Sequence, residues 1–182
     1  MAVLLSDVQD LKLGALRSGR PVSTAQVLVG DKHQSVQLVP SSDLDKIWMP
    51  LEPTSWNNQD TRLGLLFNIP DATAEALSNF EACVRELLRS EIPNVDALWT
   101  SAVKTNPQFG HSLRAKIRPQ QCVFVDSANS VCDVPQNWRH VCAIPQLLPT
   151  VYMQTNQVGI IWTCTALKLG AERASQRSVS FV

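Results

Sequence analysis

Arg114, Lys116 and Arg118 stand two residues apart, separated by Ala115 and Ile117 and preceded by Leu113. A spacing of two is the side-chain period of a β-strand. Residues 112–117 (SLRAKI) therefore read as a strand with cations along one side and apolar residues along the other. No acid interrupts the row. Cations spaced in this way can follow a phosphate backbone. Lysine and arginine also guard solvated strand faces and exposed sheet edges, so the row has a purely structural reading as well.

Binding a single nucleic-acid strand takes cations for the phosphates and flat π-faces for the bases. The cations available are Arg114, Lys116, Arg118, Arg139 and Lys168, and the rings are Trp48, Trp56, Phe109, Trp138, Tyr152 and Trp162. Each ring taken singly is also core material. Trp56 stands in PLEPTSWNNQD, which is loop chemistry, and is either a flap folded back on the core or an exposed contact residue.

Catalytic signatures are missing from the sequence. It contains no G-x-S-x-G, H-E-x-x-H, G-x-x-x-x-G-K-[ST] or G-x-G-x-x-G. His33, His111 and His140 fall in unrelated loops or strand starts. His140 and Cys142 are two apart and could form one half of a metal or Cys/His site, but no second pair accompanies them. Asp126 and Asp133 have no metal-demanding spacing. The five cysteines (83, 122, 132, 142 and 164) are odd in number and contain no C-x-x-C. The expectation is a protein with no catalytic residue, no metal and no cofactor; a cysteine hydrolase is the distant alternative.

The chain has 182 residues and zero formal net charge. That length is enough for one domain with its own core. The charge is unevenly placed: residues 1–100 carry 8 bases and 13 acids, residues 101–182 carry 8 bases and 3 acids. A basic C-terminal half permits a phosphate-binding face without making the whole protein basic. No apolar run approaches the roughly 20 residues of a membrane helix, and Asp7 and Asp10 argue against a transit peptide. The expected location is intracellular, in cytoplasm or nucleus, with no membrane partner; a virus-encoded protein fits too.

These residues need strands to hold them. Residues 1–20 read as a short helix or arm. Residues 24–29 and 35–39 alternate like the strands of a hairpin around the turn at 30–33. Residues 61–69 (TRLGLLFNI) are near-continuously apolar, like a strand buried on both faces. Asp71 looks like the N-cap of a helix over about 72–90, with Leu77, Phe80, Val84, Leu87 and Leu88 on one stripe and Pro93 beyond its end. A second, shorter helix is expected over 94–103. Strands follow at 112–117, 121–126 and, weakly, 142–144. Residues 145–149 link to a hairpin of 151–154 and 158–169 around the turn Thr155-Asn156-Gln157. Residues 171–182 read as a mobile tail. The organisation is one domain over 21–170, mainly β with one long helix, and the helices do not alternate with strands as parallel α/β winding requires. A β-barrel of OB-fold type, with the helix between its middle strands, fits this order.

The same segments resemble the OB-fold single-stranded DNA-binding proteins of large DNA viruses and phages. They run TRLGLLFNIPD, the helix with Phe80 and Val84, the W-x-x-x-V of Trp99 and Val103, SLRAKI, VFVD, and PTVYMQTNQVGIIWTCTALKL. The similarity spans roughly residues 61–169. In that family a late strand ends in an aromatic, followed by a polar turn, a Gly, a Trp and a basic strand end. Tyr152, Asn156, Gly159, Trp162 and Lys168 hold those places here, and Lys116 matches the lysine of the basic strand. Two features depart from the pattern. Tyr152 stands where Trp is more usual, and the C-terminus lacks the acidic end with which such proteins recruit replication partners. The resemblance implies sequence-independent binding of single-stranded DNA in replication, recombination or repair, with RNA as the alternative polymer and a homodimer as a compatible state. Taken together, the rings, the cations and the resemblance give Trp56, Phe109, Arg114, Lys116, Arg118, Arg139, Tyr152, Trp162 and Lys168 as the expected nucleic-acid-binding residues. The competing expectation is a protein-interaction or structural β-domain, such as a viral or phage assembly protein, with no nucleic-acid partner.

Overall fold

The structure, a computed structural model, describes residues 1–57 and 59–173. The expected mobile tail lies outside the described residues from 174 on. Its first residues do not: Ala171 and Glu172 close the last strand.

Among the described residues, twelve strands and two helices follow in chain order. They are β1 (Val3–Leu4), β2 (Leu11–Leu13), β3 (Ser23–Val29), β4 (Val36–Gln37), β5 (Thr54–Trp56), β6 (Gln59–Ile69), α1 (Asp71–Leu88), α2 (Val95–Leu98), β7 (Trp99–Thr100), β8 (Val103–Asn106), β9 (Gly110–Ile117), β10 (Val123–Val125), β11 (Val141–Met153) and β12 (Val158–Glu172). The principal sheet path is β1-β4-β11-β12-β9-β6-β5, and the remaining strands branch from it. The fold is thus mainly β with one long helix, as the sequence suggests. The strand ladders do not close into a ring. Trp48 joins the two sides through isolated bridges to Asn68 in β6 and Cys142 in β11, and its neighbours Ile47 and Met49 hydrogen-bond Ala143 and Val141 of β11.

The β11–β12 hairpin is the spine. Its strands are longer than their local sequence suggests, because Pro145 and Pro149 lie inside β11 and not in a linker. Each proline stands where β11 changes neighbour. Pro145 precedes the pairing of residues 146–147 with β4, and Pro149 precedes the pairing of residues 150–153 with β3. The missing proline N–H is therefore not asked for by either ladder.

Alternation along β12 puts Val158, Ile160, Trp162 and Cys164 into the core. Trp162 is 1% exposed, and its ring centroid lies 5.0 Å from that of Phe80 in α1. The helix seats Leu77, Phe80, Val84 and Leu88 on the inner side of the sheet, with Leu65, Phe67, Leu113 and Ile117 among the other core residues. An extra residue between Cys164 and Ala166 then breaks the alternation: Cys164 opposes Leu147, but Ala166 opposes Gln146. Beyond this bulge Leu167 is fully buried and Lys168 emerges on the other side.

Local patterning misleads at five further places. Residues 1–20 form β1, a 3-10 turn with Leu5 buried, and β2, with no α-helix. β4 is not the hairpin partner of β3. Gln34 donates to the Val29 carbonyl, the His33 ring meets the Pro149 carbonyl at 3.0 Å, and the chain crosses to β11 instead. β6 alternates, with Leu65, Phe67 and Ile69 buried and Arg62, Leu66 and Asn68 half-exposed, so only one of its faces is core. Asp71 is the first helical residue and not the cap; its carboxylate meets His111 Nε2 at 3.1 Å. The second helix stops after one turn. The buried Glu81 carboxylate accepts hydrogen bonds from Trp99 Nε1 (3.3 Å) and the Ala102 N–H (2.8 Å), which holds 99–102 extended. β7 in turn pairs with Val158 and Gly159.

Among the described residues no helix is long and apolar enough to cross a membrane.

Trp162→Ala should lower unfolding free energy by about 3–5 kcal/mol in urea titration, because it empties a large core site. A surface-contact tryptophan would change stability by roughly 0.5 kcal/mol or less.

Candidate nucleic-acid interface

The outward side of the sheet is read from its registers. In β9, Leu113, Ala115 and Ile117 are fully buried, which turns Ser112, Arg114 and Lys116 outward. In β6 the outward partners are Asn68 opposite Ser112, Leu66 opposite Arg114, and Gly64 opposite Lys116. Lys116 also pairs with Thr163 of β12, which pairs with Leu148 of β11. Tyr152 belongs to the same side through its partner Gly159, on the parity of Thr163.

Arg114 is placed by an absence. A Cβ at Gly64 would lie 2.9 Å from Arg114 Nε and 2.9 Å from Nη2. The guanidinium crosses that empty position and lies over the Trp56 ring, 4.5 Å from its centroid. Trp56 sits at the end of the edge strand β5, half-buried. It is neither wholly core nor a free flap. A second stack of this type stands nearby: Arg173 lies 3.7 Å over the ring of Trp48, which bridges to Asn68 on β6.

Phe109 is 69% exposed at the tip of the β8–β9 hairpin. The tip is held in place. Asn106 Oδ1 accepts the N–H groups of Gln108 and Phe109, Asn68 Nδ2 donates to the Phe109 carbonyl, and Gly110 takes the positive φ of +79° that closes the turn. Because Asn68 faces outward, the tip is tied to the outward side beside Ser112.

Two cations escaped the sequence reading. Lys104 of β8 pairs with Ser112 and so faces outward, and Arg62 lies two residues before Gly64 on the outward parity of β6. Lone bases on separate strands carry no row pattern; only the pairing with β9 assembles them. Arg62, Lys104, Arg114, Lys116 and Arg118 form no ion pair with a carboxylate among the described residues. Lys116 is half-buried, and its pKa is pushed below the ordinary lysine value, first by burial and then by the positive charges of Arg62 and Arg118. A hollow of about 120 Å³ opens beside it, lined by Lys116, Arg118, Gln121, Thr163, Cys164 and Thr165. Cations, hydroxyls and an amide around a small hollow can hold a phosphate-sized anion.

The other sequence candidates divide. Lys168 is half-exposed on the outward side, because the bulge reverses the alternation that would put it with Trp162. Tyr152 packs over Gly159, its hydroxyl accepts from Gln157 Nε2 at 3.0 Å, and burial raises its pKa. Trp162 is core and offers no face to a ligand. Trp138 is buried edge-on against Phe124. Arg139 is exposed but apart from the row, in a loop whose backbone N–H groups bind Glu52 and Asn137. His140 takes φ +66° before β11 begins, so it does not share a strand face with buried Cys142.

No family model and no curated protein matches the sequence. Among solved structures the chain is similar to gp2.5, a single-stranded DNA binding protein encoded by bacteriophage T7, at 13% identity and TM-score 0.47, covering 66% of this chain and 84% of that one. It is also similar to a C-terminal truncation of the single-stranded DNA-binding protein from bacteriophage Enc34, at 10% identity and TM-score 0.47, covering 89% and 96%. The Enc34 protein in complex with ssDNA is similar at 8% identity and TM-score 0.45, covering 87% and 94%. These are proteins of the group that the sequence resembles.

Gly64→Ala should push Arg114 off Trp56 and change the tryptophan emission spectrum. The same substitution in a Trp56→Phe background should leave the spectrum unchanged.

Proposed function

We propose that the protein is a non-enzymatic binder of single-stranded DNA that acts inside the cell, or inside a virus-infected cell, in replication, recombination or repair. The observation that carries this reading is the outward row of cations, without carboxylate partners among the described residues, set beside the Trp56–Arg114 stack and the exposed, tethered Phe109. Cations without carboxylate partners are available to phosphates. Rings and guanidinium planes stack on any base, which favours binding without strong sequence preference. The architecture fits an OB-type barrel in which the single-residue bridges of Trp48 stand where a closing ladder would run. In this reading Arg62, Lys104, Arg114, Lys116, Arg118 and Lys168 neutralise the backbone. Trp56 and Phe109 stack bases, and Tyr152 borders the far end of the face.

An anion beside Lys116 would relieve the repulsion from Arg62 and Arg118, so anion binding and protonation of Lys116 are linked. Its pKa in the free protein is depressed and in the complex it should be raised. Affinity should therefore be full below the depressed value and fall as pH rises through it.

Titration with poly-dT should quench tryptophan fluorescence, with affinity that weakens as salt rises. Each cation of the row changed to Ala should make the log–log salt dependence shallower by about 0.7. Trp56→Ala should lower affinity by about 1–3 kcal/mol. If poly-dT does not bind at low salt, the reading fails. If Arg114→Ala/Lys116→Ala binds as well as the parent, the contact face lies elsewhere.

A further inference from the structure

Two of the five thiols are neighbours in space. Cys122 follows the 3-10 turn at Pro119–Gln121, and Cys164 lies at the bulge of β12, 42 residues away in sequence. Their Sγ atoms are 4.0 Å apart, and both are free thiols. The strands that carry them onward are paired in parallel, with Val123 opposite Ala166. A disulfide requires a sulfur separation of about 2.05 Å. The remaining approach, roughly 2 Å, is within reach of a side-chain rotation at half-exposed Cys122. Cys164 is buried, and its contact with Cys122, together with burial, holds it as a thiol. Cys122 is therefore the sulfur that an oxidant reaches first.

The position of the pair matters as much as its separation. Cys164 lines the basic hollow with Lys116, Arg118, Thr163 and Thr165, and Gln121, the residue before Cys122, forms another wall. A bond between the two sulfurs would tie that wall to β12.

We propose that Cys122 and Cys164 are a disulfide-forming pair, closed by a hydroperoxide, and that closure lowers the affinity of the adjoining hollow for phosphate. The chemistry balances in two steps. The Cys122 thiol attacks the peroxide oxygen, forming a sulfenic acid and releasing an alcohol, or water from hydrogen peroxide. The Cys164 sulfur then displaces hydroxide from that sulfenic acid. The S–S bond forms and the thiol proton leaves with the hydroxide as water. Two thiols are oxidised and one peroxide is reduced. The first half of the proposal is independent of ligand; the second rests on the single-stranded DNA reading.

The test uses the full chain in a Cys83→Ser background, which removes the exposed thiol. Protein is treated with hydrogen peroxide, alkylated and mapped by mass spectrometry, and oxidised and reduced samples are titrated with oligo-dT. The expected result is a monomeric product lighter by two hydrogens, with the Cys122 and Cys164 peptides linked. Oligo-dT affinity should fall several-fold and recover with dithiothreitol. Cys122→Ser and Cys122→Ala should both retain native far-UV circular dichroism and lose the peroxide response. Failure to find the linked peptides overturns the proposal. A linked product with unchanged affinity overturns its second half. Reduced protein that binds no oligo-dT overturns the DNA reading together with that second half, while the peptide map still decides the first.

Discussion

The β11–β12 ladder is the constraint on which the other strands depend. β11 holds β3 and β4 along its other edge, and β12 holds β7, β9 and β10 along its own. Because side chains alternate across a strand, seating Trp162 against Phe80 forces Thr163 to the opposite side, where it meets Lys116. The cationic face is thus a consequence of how the core is filled. The bulge at residues 164–166 breaks this inheritance and returns Lys168 to the outward side.

Zero net charge conceals a polarised molecule. Asp71, Glu75, Glu86, Glu91 and Asp96 belong to α1 and the segment just after it, on the side of the sheet away from the cations. Some of this charge is spent locally, as in the pairing of Arg89 with Glu86 and Asp96. The outward row has no such compensation among the described residues, and half-buried Lys116 lies under the fields of two arginines. Like charges gathered on one face cost free energy in the unbound protein. A bound polyanion would relieve that repulsion, and the same field would steer one in from solution.

The Trp56–Arg114 stack shows why residue identity matters even at Gly64, a neighbouring position with no side chain of its own. A planar guanidinium can lie flat on an indole, whereas an ammonium cannot present a second flat face. The stack needs room on the neighbouring strand, and Gly64 supplies it by having no side chain. Trp48 and Arg173 repeat the pairing beyond β6, so the outward side offers two guanidinium-covered rings rather than one.

Residues 112–118 by themselves determined a strand with a buried side and a cationic side, because a period of two is a local property that needs no partner. The amphipathic stripe of α1 was equally legible, since burial of Leu77, Phe80 and Val84 follows from a spacing within one helix. Neighbours decided the rest. Alternation around Trp162 divides β12 into two faces but does not say which is the core, and the helix settled that. Pairing with β9 gathered Arg62 and Lys104 into the face. Glu81 turned an expected helix at 99–102 into an extended segment, and changes of partner let β11 run through two prolines. In each of these cases the deciding atom belongs to another element, where local patterning carries no information about it.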